Sequence, residues 1–485
     1  MSGQPVNEGK LARNRSMSEN SLIEDAGFHM VEDNTRMNVG KKKPPVLATS
    51  QQIVQPVLPA YTGPVMKHKL GGKKRNKAYY NRYHQTNYAR TKFANSGAVR
   101  SEWTQVNEQL HVSHLEKQDT DIEFTFETLC EYGSLMEFNS LFVQKIKPKN
   151  SLKLSRNITE PTNNTTSYED NIISSLQDHE FDDDMNYFFM TEEILTTLAT
   201  CHRGAFPWNI FFLKYKNKFS IFTNKDDNTS TMAVVNTYNE NINSDLPEDE
   251  GVMTRLCLES HLSCENLARQ TLDTNKPIVT KNIVPVDEFG ITQETADENS
   301  LPENKMYVYK KIVVDKKNVV FCRFTIDAYE KEAGVDNPLL IRAVHDTGKN
   351  DWSLKWDQNH AVIKADIQKN NICKYMQWLL VAYINDITNF KLGFVTRNNL
   401  KKDDEHRIIK VENVQVSDIM KFFMFNPQET FTALNLVMNH MKQVEEDGQY
   451  VINRAAFKNV LTIYKIPDSE ANEQEGSEHS DTEAL

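Results

Sequence analysis

Apolar residues recur with helical spacing and then in a strand-like run between Asn370 and Arg397, in NNICKYMQWLLVAYINDITNFKLGFVTR. Tyr375, Trp378, Leu379, Ala382 and Tyr383 recur at three- and four-residue steps, the spacing of one helical stripe. Few polar residues interrupt the other faces, so this helix is expected inside a core. From Lys391 to Thr396 the residues become strand formers. The stretch therefore predicts a buried helix turning directly into a buried strand at the centre of a domain.

Similar patterning places the other elements. Thr191 is positioned to N-cap a helix opened by Glu192 and Glu193, with Ile194, Leu195 and Leu198 on its apolar side. Trp208–Leu213 and Phe219–Thr223 predict a hairpin around Lys216-Asn217, and Met306–Val314 with Val319–Ile326 a second one around Asp315-Lys316-Lys317. Thr254–Leu272 has the pattern of an amphipathic helix. A strand over Arg407–Val411 precedes a last helix from Pro427 to Glu446, with proline near its start and Gly448 after its end. Two strands close the chain. Trp352 and Trp356, four apart, are expected near a strand or turn, as packing anchors or as a stacking surface. This order predicts an α+β fold of largely antiparallel sheets packed by helices.

A chain of 485 residues holds one large domain or two ordinary ones plus tails. Its hydrophobic fraction of 39% falls below the usual globular range, which points to unstructured segments. Residues 1–98 lack hydrophobic periodicity and read as a disordered arm; 99–470 read as the globular body, and 471–485 as an acidic tail. Polar insertions within the body are expected at 151–184, 229–247 and 287–304. No charged leader precedes an apolar run, and the run near Trp378–Ile384 is too short to span a bilayer, so a soluble cytoplasmic protein with no membrane contact is expected. The six cysteines form no CxxC pair, and buried reduced thiols are favoured over a metal or redox site.

The net charge of −11 conceals a basic arm. From Met66 to Arg100 there is no acid, while Lys73, Lys74, Arg75, Lys77 and Arg82 alternate with Tyr79, Tyr80, Tyr83, Tyr88 and Phe93. Cations neutralise phosphates and aromatic faces stack on unpaired bases, so the pattern suits single-stranded RNA; it equally suits a soluble tail or an arm docking to an acidic protein surface. P-loop, GxGxxG and GxSxG patterns are absent.

The central stretch, with WSLKWDQNHAVI before it, QYVINRAAFKNVLTIYKIP from Gln449 to Pro467, TEEILTTLATCHRGAFPWNIFF from Thr191 to Phe212 and VRSEW from Val99 to Trp103, resembles the family of the D subunit of eukaryotic translation initiation factor 3. Ordered matches at compatible spacing run from about Val99 to Pro467. The resemblance implies a non-catalytic subunit without a cofactor, whose partners are other initiation factor 3 subunits, the 40S pre-initiation complex and the mRNA 5′ end. It implies a cap-binding-type domain with pocket candidates Glu192, Phe206, His261, Cys264 and Glu265. Phe206 and Trp208 read as core aromatics just as well.

The resemblance also implies a segment called the RNA gate, here Ser230, Thr231, Met232, Ala233, Val234, Val235, Asn236, Thr237, Tyr238, Asn239, Glu240, Asn241, Ile242, Asn243 and Ser244. Trp103 is implied as a docking anchor beside the basic arm. Two alternatives follow: a scaffolding relative that has lost the cap, or a cap-directed nuclease. The family's fold is similar to decapping exonucleases, whose metal site uses E-x-D and E-x-K pairs. The positions matched to those pairs are Thr325 with Asp327, and Asp366 with Gln368, so one acid and the lysine are missing, and both aspartates are expected at strand ends. His202 and Arg203 are candidates to meet phosphates or, equally, to serve a surface or capping role.

Overall fold

A computed structural model describes residues 99–115, 122–154, 171–203, 208–223, 263–275, 279–283, 305–346 except 333, 352–398 except 371, 405–455 and 459–467. Among them, in chain order, lie β1 (Thr104–Gln105), β2 (Leu110–His111), β3 (Phe124–Leu135), α1 (Leu141–Lys145), β4 (Leu152–Lys153), α2 (Asn171–Asp178), β5 (Asn186–Thr191) and α3 (Glu192–Ala199). Next come β6 (Trp208–Tyr215), β7 (Lys218–Phe222), α4 (263–270), β8 (Val279–Ile283), β9 (Met306–Val314), β10 (Asn318–Ile326), β11 (Ala328–Glu332) and β12 (Val335–His345). The last are α5 (Trp352–Asn370), α6 (Ile372–Ile384), β13 (Asn389–Arg397), β14 (His406–Gln415), α7 (Val416–Phe423), α8 (Pro427–Lys442), β15 (Gly448–Arg454) and β16 (Val460–Lys465).

The strands form two sheets. The larger has the order β1-β16-β15-β6-β7-β5-β10-β9-β3-β8, with β2 also on β16; the smaller is β11-β12-β13-β14-β4. Most neighbours are antiparallel, but β5 runs parallel to both β7 and β10, and β12 runs parallel to β13. Both expected hairpins are present, and each turn bends through left-handed residues: Lys216 in the first, Asp315 and Lys316 in the second.

The buried helix is α6, whose residues from Cys373 to Ala382 are all buried. With α3 and α8 it covers one face of the large sheet, forming the main core around Phe188, Phe212, Leu379 and Phe431. The opposite face carries two smaller clusters. One sits under α2, with Ile172, Ile173 and Leu176 against Phe189 and Phe321; the other holds Trp103 against Phe211 and Phe222.

Three expectations change. The insertion at 151–184 contains β4 and α2, because Ile172, Ile173 and Leu176 supply a helical stripe within otherwise polar sequence. Trp352 and Trp356 lie on helix α5, not at a strand or turn; both are buried, with Trp356 4.5 Å from the Phe394 ring, so they anchor packing. Thr191 occupies the N-cap of α3, but its side chain makes no capping hydrogen bond. By contrast Asn426 caps α8, accepting from the Gln428 N–H at 3.0 Å.

Helix α4 lies against the small sheet through a close approach. A Cβ at Gly393 of β13 would fall 2.3 Å from a Leu267 methyl, so only glycine lets Leu267 seat there. That seating positions the next polar face of α4, where Cys264 and Glu265 lie.

Candidate functional site

The polar cluster forms where the chain leaves the large sheet for the small one. Glu192 begins α3 at the end of β5, and parallel pairing with β10 brings that end beside Thr325. The Thr325 N–H donates to Glu192 Oε2 at 2.9 Å. Burial, then the neighbouring Glu193 charge, pushes the Glu192 pKa up to about 8, against the opposing pull of Arg342 and the Thr325 amide. Near neutral pH this carboxyl keeps its proton.

Asp327 follows β10 and is buried. Its Oδ2 accepts from Arg342 Nη1 at 2.5 Å and from the Ile341 N–H at 2.8 Å. Burial alone would lower the Arg342 pKa, but Asp327 and then Glu192 more than offset it, so the guanidinium is held charged. A buried guanidinium thus bonds one carboxylate and is under the electrostatic influence of a second carboxyl group.

The α4 side completes the cluster. Lys305 Nζ donates to both Glu265 oxygens at 2.7 Å; burial lowers its pKa, but Glu265 and then Asp327 bring it above the usual lysine value. Cys264 Sγ accepts from the Ala343 N–H at 3.2 Å, tying α4 to β12, and burial pushes the thiol pKa up. Lys374 of α6 is buried with its ammonium 5.4 Å from the Trp378 ring centroid, and its charge acts on Cys264.

Of the expected site residues, the structure brings Glu192, Cys264 and Glu265 into one connected region. The Glu265 carboxylate is paired with Lys305. Phe206, His261, the basic arm Lys73, Lys74, Arg75, Lys77 and Arg82, and the gate from Ser230 to Ser244 lie outside the described residues. Trp103 is buried, edge-on to Phe211 with ring centroids 6.0 Å apart, so its anchoring contact is with this chain's own sheet. Arg203 pairs with Glu429 at 2.6 Å. Burial drives the His202 pKa down to about 4, leaving a neutral ring rather than a phosphate-binding cation.

The matched pairs need correction. Asp327 stands just past the end of β10 as expected, but Asp366 and Gln368 lie on helix α5 rather than at a strand end. The strand that meets Asp327 is β12, and the residue it presents is Arg342. Sequence reasoning missed Arg342, Lys305 and Lys374. The available signal was a lone arginine inside the apolar run Leu339–Val344, since a charge within a buried strand requires a partner. Among the described residues, no group of three His, Cys, Asp or Glu could hold a metal ion.

Comparison with known proteins places the chain. The family described as eukaryotic translation initiation factor 3 subunit 7 (eIF-3) matches residues 10–465. The D subunit of eukaryotic translation initiation factor 3 from Pyricularia oryzae is 25% identical over 407 residues, covering 79% of this chain and 69% of that protein. Its counterpart of the same name from Caenorhabditis briggsae is 27% identical over 373 residues, covering 73% and 62%. The chain thus spans about two thirds of the length of these relatives. Among solved structures, Scheffersomyces stipitis Rai1 is similar with a TM-score of 0.44 and 11% identity, over 77% of this chain and 96% of that one. Dxo1 of K. lactis is similar at 0.33 and 9%, over 77% and 94%. By the extent of the family match, this chain belongs to the eukaryotic translation initiation factor 3 subunit 7 family, whose curated relatives are named as the D subunit of that factor.

Proposed function

We infer that the chain is a non-catalytic, cytoplasmic subunit of the initiation factor 3 complex that holds the capped 5′ end of selected messenger RNAs. Family membership supports association with other initiation factor 3 subunits and, through them, with the 40S pre-initiation complex.

The observation that carries the non-catalytic part is the Arg342–Asp327 pair. Metal-assisted hydrolysis needs carboxylate oxygens open to divalent cations. Here a guanidinium bonds Asp327, and Glu192 accepts a backbone amide while holding its proton. Removing that guanidinium would leave a buried charge uncompensated, so it is not readily displaced.

Glu192 supports the cap-binding part. A methylated guanine is cationic and offers N–H donors along one edge, which suits a carboxylate. Arrival of a cation would favour ionisation of Glu192, so affinity should rise with pH toward about 8. The engagement of Arg203 by Glu429 favours the second reading, a scaffolding protein without cap affinity, because that cation is already used.

Fluorescence titration of the full chain with methylated and unmethylated guanosine triphosphate separates them. Methyl-dependent affinity that grows between pH 6 and about 8 fits the first reading. No affinity for either, with initiation factor subunits still co-purifying, fits the second.

A further inference from the structure

The outer face of the large sheet carries an uncovered apolar strip. On β6, Phe211, Leu213 and Tyr215 share one face, since side chains alternate along a strand. Trp103 covers Phe211, yet Leu213 is 43% and Tyr215 58% exposed.

Carboxylates stand on both sides of the turn that ends the strip. Lys216 N–H donates to Asp447 Oδ1 at 2.8 Å, which fixes the exposed run Glu445–Asp447 beside the β6–β7 turn. On the other side, Asn217 donates to the Asp182 carbonyl at 3.1 Å, bringing the exposed acids Asp178, Glu180 and Asp182–Asp184 there. Lys214 and Lys465, which pair with Asp447 and Glu446, alternate onto the opposite face of the sheet, so the rim on the strip's own face is Asp178, Glu180 and Asp182–Asp184, with Lys218 opposite Tyr215.

We propose that this strip is the docking site of the chain's own segment Lys73–Phe93, an intramolecular cover. The segment contains no acid and alternates cations with tyrosines and Phe93, complementary to an apolar strip with an acidic rim. Its origin is also suitable. Trp103 is seated against Phe211, and Tyr215 lies four residues along the strand, roughly 13 Å away at the usual rise. Phe93 precedes Trp103 by ten residues, a span of up to about 33 Å when extended. So short a tether gives an effective concentration in the range of about 1 mM, which a free basic peptide rarely matches. Bound RNA and this strip would then compete for the same cations.

Limited trypsin digestion of the full chain tests the contact at the Arg82, Arg90 and Lys92 bonds. Cleavage tracks the open fraction, so a cover in place nine times in ten protects about tenfold. L213D/Y215D, two exposed positions, should abolish that protection, and about 0.5 M salt should weaken it. A second variant, D182N/D183N/D184N, should lose part of it. Equal cleavage in all three proteins overturns the proposal. So does protection that disappears on dilution, because it would assign the strip to a second copy of the chain. Crosslinking from a photoreactive group at position 215 should yield peptides within 73–93; peptides from elsewhere overturn it.

Discussion

Glu192→Gln isolates one buried proton. The native state holds that proton up to about pH 8, whereas the unfolded chain releases it near 4.5. Between those values the folded protein binds more protons than the unfolded one, so its stability falls as pH rises. The contribution is complete below pH 4.5, declines through the interval, and is flat above about 8. Each pH unit corresponds to about 1.4 kcal/mol, so the full interval represents a ceiling of ~5 kcal/mol. Glu192 retains some solvent contact, and screening reduces the realised value to about 2–3 kcal/mol. Glutamine keeps an oxygen to accept the Thr325 amide but has no proton to lose. Melting curves of both proteins from pH 5 to 9 should therefore coincide at the acid end. The variant should pull ahead by a few degrees at the alkaline end. A constant difference, or a wild type that gains on the variant at pH 9, would refute the reasoning: attraction to Arg342 would then outweigh burial and the Glu193 charge.

Three further outcomes follow from the same contacts. Arg342→Met should cost about 3–5 kcal/mol in urea unfolding, because Asp327 is left as an uncompensated buried charge; the double variant with Asp327→Leu should recover much of that. Gly393→Ala should destabilise by about 1–3 kcal/mol through collision with Leu267, and adding Leu267→Ala should cost less than the two single effects summed. Trp356→Ala, which removes a buried ring packed near Phe394, should lower stability by about 3–5 kcal/mol in urea unfolding.

How much was legible depended on whether the signal was local. Periodicity found α6, both hairpins and α8, because each element buries a face that its own sequence marks. It missed α2, whose three buried residues are too few to stand out among Asn, Ser and Asp. It also placed Trp352 and Trp356 at a strand or turn, since the two aromatics were read alone, without Ile363 and Ile367, which continue their buried stripe along the helix.

The sequence alone determined the class of fold, the core helix and its following strand, the family, and the separation of a basic arm from an acidic remainder; each is a property of order and composition along the chain. Only the tertiary structure decided what the candidate residues do. Parallel pairing of β5 with β10 sets Glu192 beside Thr325, and the strand β12 brings Arg342 to Asp327, fifteen residues away in sequence. Whether a carboxyl is charged depends on which neighbours share its burial, and those neighbours come from distant segments. The same holds for Glu265, neutralised by Lys305 forty residues on. Charge in a buried site is a property of the assembled surroundings, which no single stretch of the chain encodes.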